Sequence, residues 1–181
     1  MNVPSGSELI DANIALLQQA LSLLARVDQE RFSRSSSALA PHGMGSHLRH
    51  VMEFYECFLD GLATSQIDYD ARKHDPSIES DRNKAADQIS LIIRRLQAAS
   101  WVPSDRAVAV RMDNCALDIY VNSSVGRELQ ALTSHTIHHF ALIAVALRLH
   151  GVELEHSFGM SPSTLRFQSA TPGTPSAEAS S

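Results

Sequence analysis

One stretch limits the fold more than any other: Ser134-His135-Thr136-Ile137-His138-His139-Phe140 sets three imidazoles within a long helical pattern. Around it, Leu129, Leu132, His135, His139, Leu142 and Ala146 recur at alternating three- and four-residue spacing, the stripe a helix turns toward a core. Two histidines therefore take inward positions on the longest helix the chain predicts. Residues four apart lie one above the other, with Cβ atoms about 6 Å apart, so His135 and His139 can each aim a nitrogen at one shared point. His138 lies about a hundred degrees round from His139 and faces outward or braces the pair. The simplest chemistry for two stacked inward imidazoles is a divalent metal, and a third ligand must then come from elsewhere in the chain.

The rest of the pattern is also helical. Ser7 reads as an N-cap, followed by Leu9-Ile10, Ile14, Leu16-Leu17, Leu21 and Leu23-Leu24 in a first helix to about Val27. Phe32 to Pro41 is Ser-rich and reads as a connection. A second helix is expected from Met44–Ser46 to about Leu62, with Leu48, Val51, Tyr55, Phe58 and Leu62 inward and His47 and His50 along one edge. Ala63 to Ser80 is too charged for a core element and reads as a long ordered loop, with Asp68, Asp70, Arg72 and Asp75 forming an ion network or, as the alternative, contacting substrate. Asp81 caps a third helix through Ala85, Ile89, Ile92-Ile93 and Leu96, ending before Pro103.

Between Arg106 and Asn122 the period shortens to two. Val108, Val110 and Met112 alternate, as do Leu117, Ile119 and Val121, with turn chemistry at Asp113-Asn114, so a short β-hairpin is expected between helices three and four. Ser123 or Ser124 caps the fourth helix, Glu128 is placed to close a capping box, and Gly151 ends the helix. Phe158 to Phe167 carries enough apolar residues to dock on the helices. The expected fold is all-α, an up-down four-helix bundle with that small hairpin. Residues 1–167 form one domain, and Gln168 to Ser181, nearly all small or polar, forms a disordered tail.

Composition narrows the function classes. A chain of 181 residues that is 44% hydrophobic can bury one good core. The net charge of −5 comes without any Lys/Arg block, which argues against nucleic acid or an anionic membrane as partner. Two cysteines, Cys57 and Cys115, make no disulfide framework, and the nine histidines stand out more. No signal-like start and no apolar run near the ~20 residues of a membrane span are present, so the expected location is cytoplasmic.

The third ligand falls to the second helix. His47 or His50 with His135 and His139 leaves coordination positions for water and substrate, the pattern of a catalytic centre. Helical periodicity slightly favours His47. The missing Glu after His135 sets this pattern apart from the zincin motif. Glu53, one turn beyond His50, is a candidate base or hydrogen-bond acceptor, with an exposed helix carboxylate as the alternative. Cys57, with no identified activating partner, reads as a core thiol, and Tyr55 and Tyr69 as packing or loop residues.

Gly43-Met44-Gly45-Ser46-His47-Leu48-Arg49-His50-Val51 and the His135-x-x-His138-His139 stretch together resemble the two metal motifs of the DinB-like (DinB/YfiT) superfamily of four-helix bundles. The resemblance covers roughly residues 7 to 167. It implies a ligand set of His50, His135 and His139, with His47 as alternate, holding nickel, zinc or another divalent ion with water. It also implies, for some members, transfer of low-molecular-weight thiols onto electrophiles. A metal that activates bound water or a thiol makes a hydrolase or thiol transferase of a small-molecule substrate the expected activity. Phe140-Ala141-Leu142 stands where the family often has Arg-Gly-Gln, so thiol specificity is not carried over. The alternative is a non-catalytic, stress-associated metal-binding bundle working through protein contacts, as a homodimer through an exposed helix face.

Overall fold

The structure, a computed structural model, describes residues 6–33, 42–112 and 119–170. The Asp113-Asn114 turn, most of the expected connection before Pro41, Cys115 and the tail beyond Ala170 lie outside the described residues.

The described chain is mostly helical. It holds α1 (Gly6–Arg26), α2 (Gln29–Ser33), α3 (Met44–Gly61), β1 (Gln66–Asp68), α4 (Pro76–Ser80), α5 (Arg82–Ala98), β2 (Ala107–Arg111), β3 (Val121–Ser124), α6 (Val125–Leu149) and α7 (Pro162–Ala170). The four long helices are those the apolar periodicity marks out. Each packs on two others: α3 on α6 and α5, and α1 on α6 and α5. Their inward faces make one core that includes Ile10, Leu17, Leu23, Leu48, Tyr55, Phe58, Ile89, Ile92, Leu129 and Phe140.

Local chemistry sets the helix ends where the sequence places them. The Asp81 carboxylate accepts from the Asn83 and Lys84 amides at the start of α5, and the Ser124 hydroxyl accepts from the Arg127 amide at the start of α6. Gly151, at φ +71°, takes the left-handed turn after His150 that a side chain resists. Glu128 differs from its expected capping-box role. It lies buried, accepting from the Ser123 hydroxyl at 2.6 Å and from the Tyr69 hydroxyl at 3.0 Å.

All-α is too narrow a description. The expected hairpin is present, with β2 and β3 antiparallel in the register Ala107↔Ser124 to Val110↔Val121. A third strand joins it: β1 runs parallel to β2, pairing Gln66 with Ala109 and Asp68 with Arg111. Residues 63–80 were expected to be loop throughout, yet they hold β1 and α4. The charged flanks hide Ile67, whose side chain is fully buried. Pairing on β2 fixes where residues 69–75 emerge over α3, and this places Tyr69 and Arg72 beside the histidines.

Two more expectations shift. Leu142 is 39% exposed, so the inward stripe of α6 passes through Phe140 and Ile143 instead. Phe158 docks by stacking on Phe140 with ring centroids 4.9 Å apart, whereas Phe167 is 72% exposed and α7, continuing through Gln168 to Ala170, adds no buried residue among those described.

A polar tie runs through the core. Asn13 donates to the carbonyl oxygens of Leu9 and Leu129, and its own side-chain oxygen accepts from the Tyr55 hydroxyl at 2.7 Å, with Thr136 Oγ1 3.2 Å from the same hydroxyl. One network thus joins α1, α3 and α6. Tyr55→Phe keeps the ring and strands the Asn13 oxygen, so it is expected to lower stability by about 1–2 kcal/mol. Urea unfolding of the two proteins measures it, and unchanged stability would show the network to be energetically idle.

Candidate metal centre

His50 comes from the middle of α3 and His135 and His139 from successive turns of α6, and their Nε2 atoms converge. His135 Nε2 lies 3.2 Å from His50 Nε2 and 3.1 Å from His139 Nε2. One nitrogen from each of the three rings falls within 4.8 Å of the other two. Hydrogen bonding alone serves this arrangement poorly. A single proton on His135 Nε2 points at one neighbour and turns away the other's proton. A lone pair there cannot accept well from both. A cation at the meeting point takes all three lone pairs at once, and nitrogen separations near 3.1 Å match bonds of about 2.0–2.1 Å at roughly tetrahedral to octahedral angles. The residues present therefore fit a divalent ion.

Burial keeps the donors available. Desolvation first, and neighbouring imidazoles second, push the His135 pKa down to about 4 and the His139 pKa down to about 3. His47 is lowered by desolvation and then by His42, His50 and His138, and His50 by desolvation and then by Arg72. All four rings are held neutral near pH 7, the form that ligates.

His47 stands one step back. Its Nδ1 lies 3.0 Å from His139 Nδ1, on the side of that ring away from the shared point. A proton on His139 Nδ1 donated to His47 would leave His139 Nε2 as the lone pair facing inward, the tautomer that a metal centre requires. The choice that helical periodicity leaves open between His47 and His50 resolves as two different positions. His138 is exposed and packs its ring edge-on against His139, with centroids 5.1 Å apart. His135 Nδ1 is buried without a hydrogen-bond partner.

Phe54 walls the centre, its ring centroid 4.1 Å from that of His135 and 5.0 Å from that of His50. Tyr69 stacks on Phe54 with ring centroids 5.1 Å apart. A small cavity of about 50 Å³, almost wholly apolar, opens beside His135 between Phe54, Tyr69, Met112 and Leu132.

Beyond Phe54 lies a buried ion cluster. Glu53 is only 3% exposed, which overturns the exposed-carboxylate alternative. Arg49 donates from Nη1 to Glu53 and from Nε to Glu79 at 2.8 Å, His74 Nδ1 lies 3.4 Å from Glu53 Oε2, and Arg72 Nε lies 4.0 Å from that same oxygen. The expected network among Asp68, Asp70, Arg72 and Asp75 divides. Asp68 and Asp70 face Arg111, Asp75 caps α4 by accepting from the Ser77 amide, and Arg72 turns away toward Phe54. The sequence offers Arg72 for an ion network or a substrate contact, but its place against Phe54 depends on the unforeseen β1 pairing. Cys57 is half-buried, and burial pushes its thiol up to about 11, which leaves it inert as read from the sequence.

The centre is thus a three-imidazole site between two long helices of a mostly helical chain. No family model matches the chain, and no solved structure matches it. FK506-binding protein 5 of Rhizopus delemar is 26% identical to it over 163 residues, 87% of this chain and 37% of that protein. The chain thus spans little more than a third of that relative's length, and the binding of FK506 is a statement about the Rhizopus protein. No helix among the described residues is long and apolar enough to cross a membrane.

Proposed function

We propose that this chain is a divalent-metal-binding helical bundle of the DinB-like type, an up-down arrangement of α1, α3, α5 and α6. His50, His135 and His139 would hold the ion, and His47 would orient His139. The observation that carries the reading is the convergence of three neutral Nε2 atoms from two helices. Among the described residues no carboxylate or thiolate joins them in that cluster, so coordination positions remain for water and substrate. A zinc or nickel ion there would lower the pKa of a bound water or thiol toward neutrality.

The chain's own residues supply the rest of a hydrolase or thiol-transferase site acting on a small molecule. Phe54, Tyr69 and Leu132 line the small cavity on one side of His135. Glu53, offered from the sequence as a base, is committed to Arg49 through Oε1 and holds the cationic cluster in place.

A second reading, a non-catalytic metal-binding bundle that works by self-association, is favoured by one observation. Leu142, Val145 and Leu149 are 39%, 53% and 57% exposed and lie on one outer face of α6. The test of both is metal content by plasma mass spectrometry on untagged protein incubated with zinc or nickel, followed by ester-hydrolysis and thiol-transfer assays. About one ion per chain with turnover supports the enzyme, and one ion without turnover supports the second reading. No bound ion under any loading condition removes both.

A further inference from the structure

We infer that Arg72 is the anchor for an anionic group, most simply a carboxylate, on the small molecule that reaches the three-histidine centre; this rests on the metal-binding reading and names the substrate class for the same site.

The first observation is an arginine without the partners arginines have when buried. Arg72 Nε and Nη1 are both buried with no hydrogen-bond partner, while its side chain is 15% exposed overall. Its nearest carboxylate oxygen, Glu53 Oε2, is 4.0 Å away, beyond hydrogen-bonding reach, and the Oε1 atom of that carboxylate is taken by Arg49. A guanidinium offers two bidentate edges, and each includes one of these two unpartnered nitrogens, so either edge is free to take an oxyanion.

The second observation is position. The Arg72 guanidinium carbon sits 5.0 Å from the centroid of the Phe54 ring, the ring that also packs against His135 and His50. A cation held over an aromatic ring at this distance is attracted to its face, which limits the sweep of the side chain. The pairing of β1 with β2 sets the chain just before it, with the Tyr69 amide donating to the Arg111 carbonyl at 2.9 Å. Arg72 is therefore a fixed cation at one edge of the site.

The third is charge. Three neutral imidazoles contribute no negative charge toward a divalent ion, and Arg72 adds a further positive charge nearby. Glu53, the carboxylate nearest Arg72, is paired with Arg49, which it shares with Glu79. The centre and its rim therefore favour an anion over a neutral ligand of the same shape.

The test uses the full chain loaded with cobalt(II), with acetate as probe and acetamide as its neutral counterpart. Binding is read from the cobalt visible spectrum. Acetate is expected to perturb the spectrum of the wild type and acetamide far less. In Arg72→Gln, with cobalt loading unchanged, the acetate dissociation constant should rise about tenfold or more. Equal acetate affinity in the two proteins would overturn the inference. Should Arg72→Gln fail to fold, Arg72→Lys decides, since lysine keeps the charge and loses the fork. A several-fold weaker acetate affinity supports the assignment, and an unchanged one overturns it. If no cobalt loads, the metal reading fails by itself, and acetate-dependent shifts of the Phe54 and Tyr69 ring resonances in the metal-free protein take over the test. Shifts that vanish in Arg72→Gln uphold the anion site, and their absence in the wild type removes it.

Discussion

Replacing His135 by alanine is expected to weaken zinc or nickel binding by more than about 100-fold, the largest loss of any single histidine. Its Nε2 is within 3.2 Å of both other converging nitrogens, so it is the member that joins the set. Without it, two imidazoles from different helices remain, and the gap opens toward the small cavity. Residues that merely orient a ligand typically cost 10–100-fold in affinity, and losing a donor outright costs more. His47→Gln should therefore fall inside that lower range, because it disturbs only the tautomer of His139. His138→Ala should change nothing, since that ring is exposed and stands outside the converging set. Competition against a chromophoric chelator ranks the four proteins. A His135→Ala protein that binds as the wild type does would remove His135 from the ligand set. Loss of fold is not the expected route to this result, because the His135 Nδ1 has no hydrogen-bond partner to forfeit.

The parts of this centre that the sequence reveals are those that repeat at helical spacing. His135 and His139 are four residues apart on a strongly periodic segment, so their shared face follows from helix geometry alone. His50 is less determined. On a helical wheel it competes with His47, and only the approach of α6 to α3 decides that His50 meets Nε2 atoms while His47 meets the far side of His139. The placement of Arg72 against Phe54 and the burial of Glu53 are beyond such reasoning. Both depend on a parallel strand of three residues, Gln66 to Asp68, which pairs with a partner more than forty positions on. A strand that short carries too few alternations to be told from loop, and its flanking aspartates argue for solvent. Asn13 is missed for a related reason: a lone polar residue on an apolar face looks like a boundary until its partners, Tyr55 and the Leu129 carbonyl, are brought in from two other helices. Local order was legible; the pairing of distant segments was not.

Gly45→Ala is expected to cost about 3 kcal/mol, the upper end of what overpacking usually costs, and to do so through the site's outer wall. Gly45 lies in the first turn of α3, where α4 crosses closely. A Cβ built on it would sit 2.9 Å from the Glu79 carbonyl carbon and closer still to the Glu79 carbonyl oxygen, inside van der Waals contact. The obstacle is backbone, so no side-chain rotation relieves it and α4 must move. Its backbone is not in the left-handed region, so the requirement is for space and not for glycine's conformational freedom. Movement of α4 draws Glu79 away from Arg49 Nε, now 2.8 Å distant, and loosens the cluster that holds Glu53. For a chain of this size, a loss of that order lowers the melting temperature by roughly 6–12 °C. Calorimetry on the metal-free wild type and variant measures it. A melting temperature within a degree of wild type would show that α4 does not press on α3 as described. The same substitution should leave the His135–His139 spacing intact, since both lie on one helix. Metal affinity should therefore fall much less than in His135→Ala, and a comparable fall would mean that the position of α3 against α6 depends on α4.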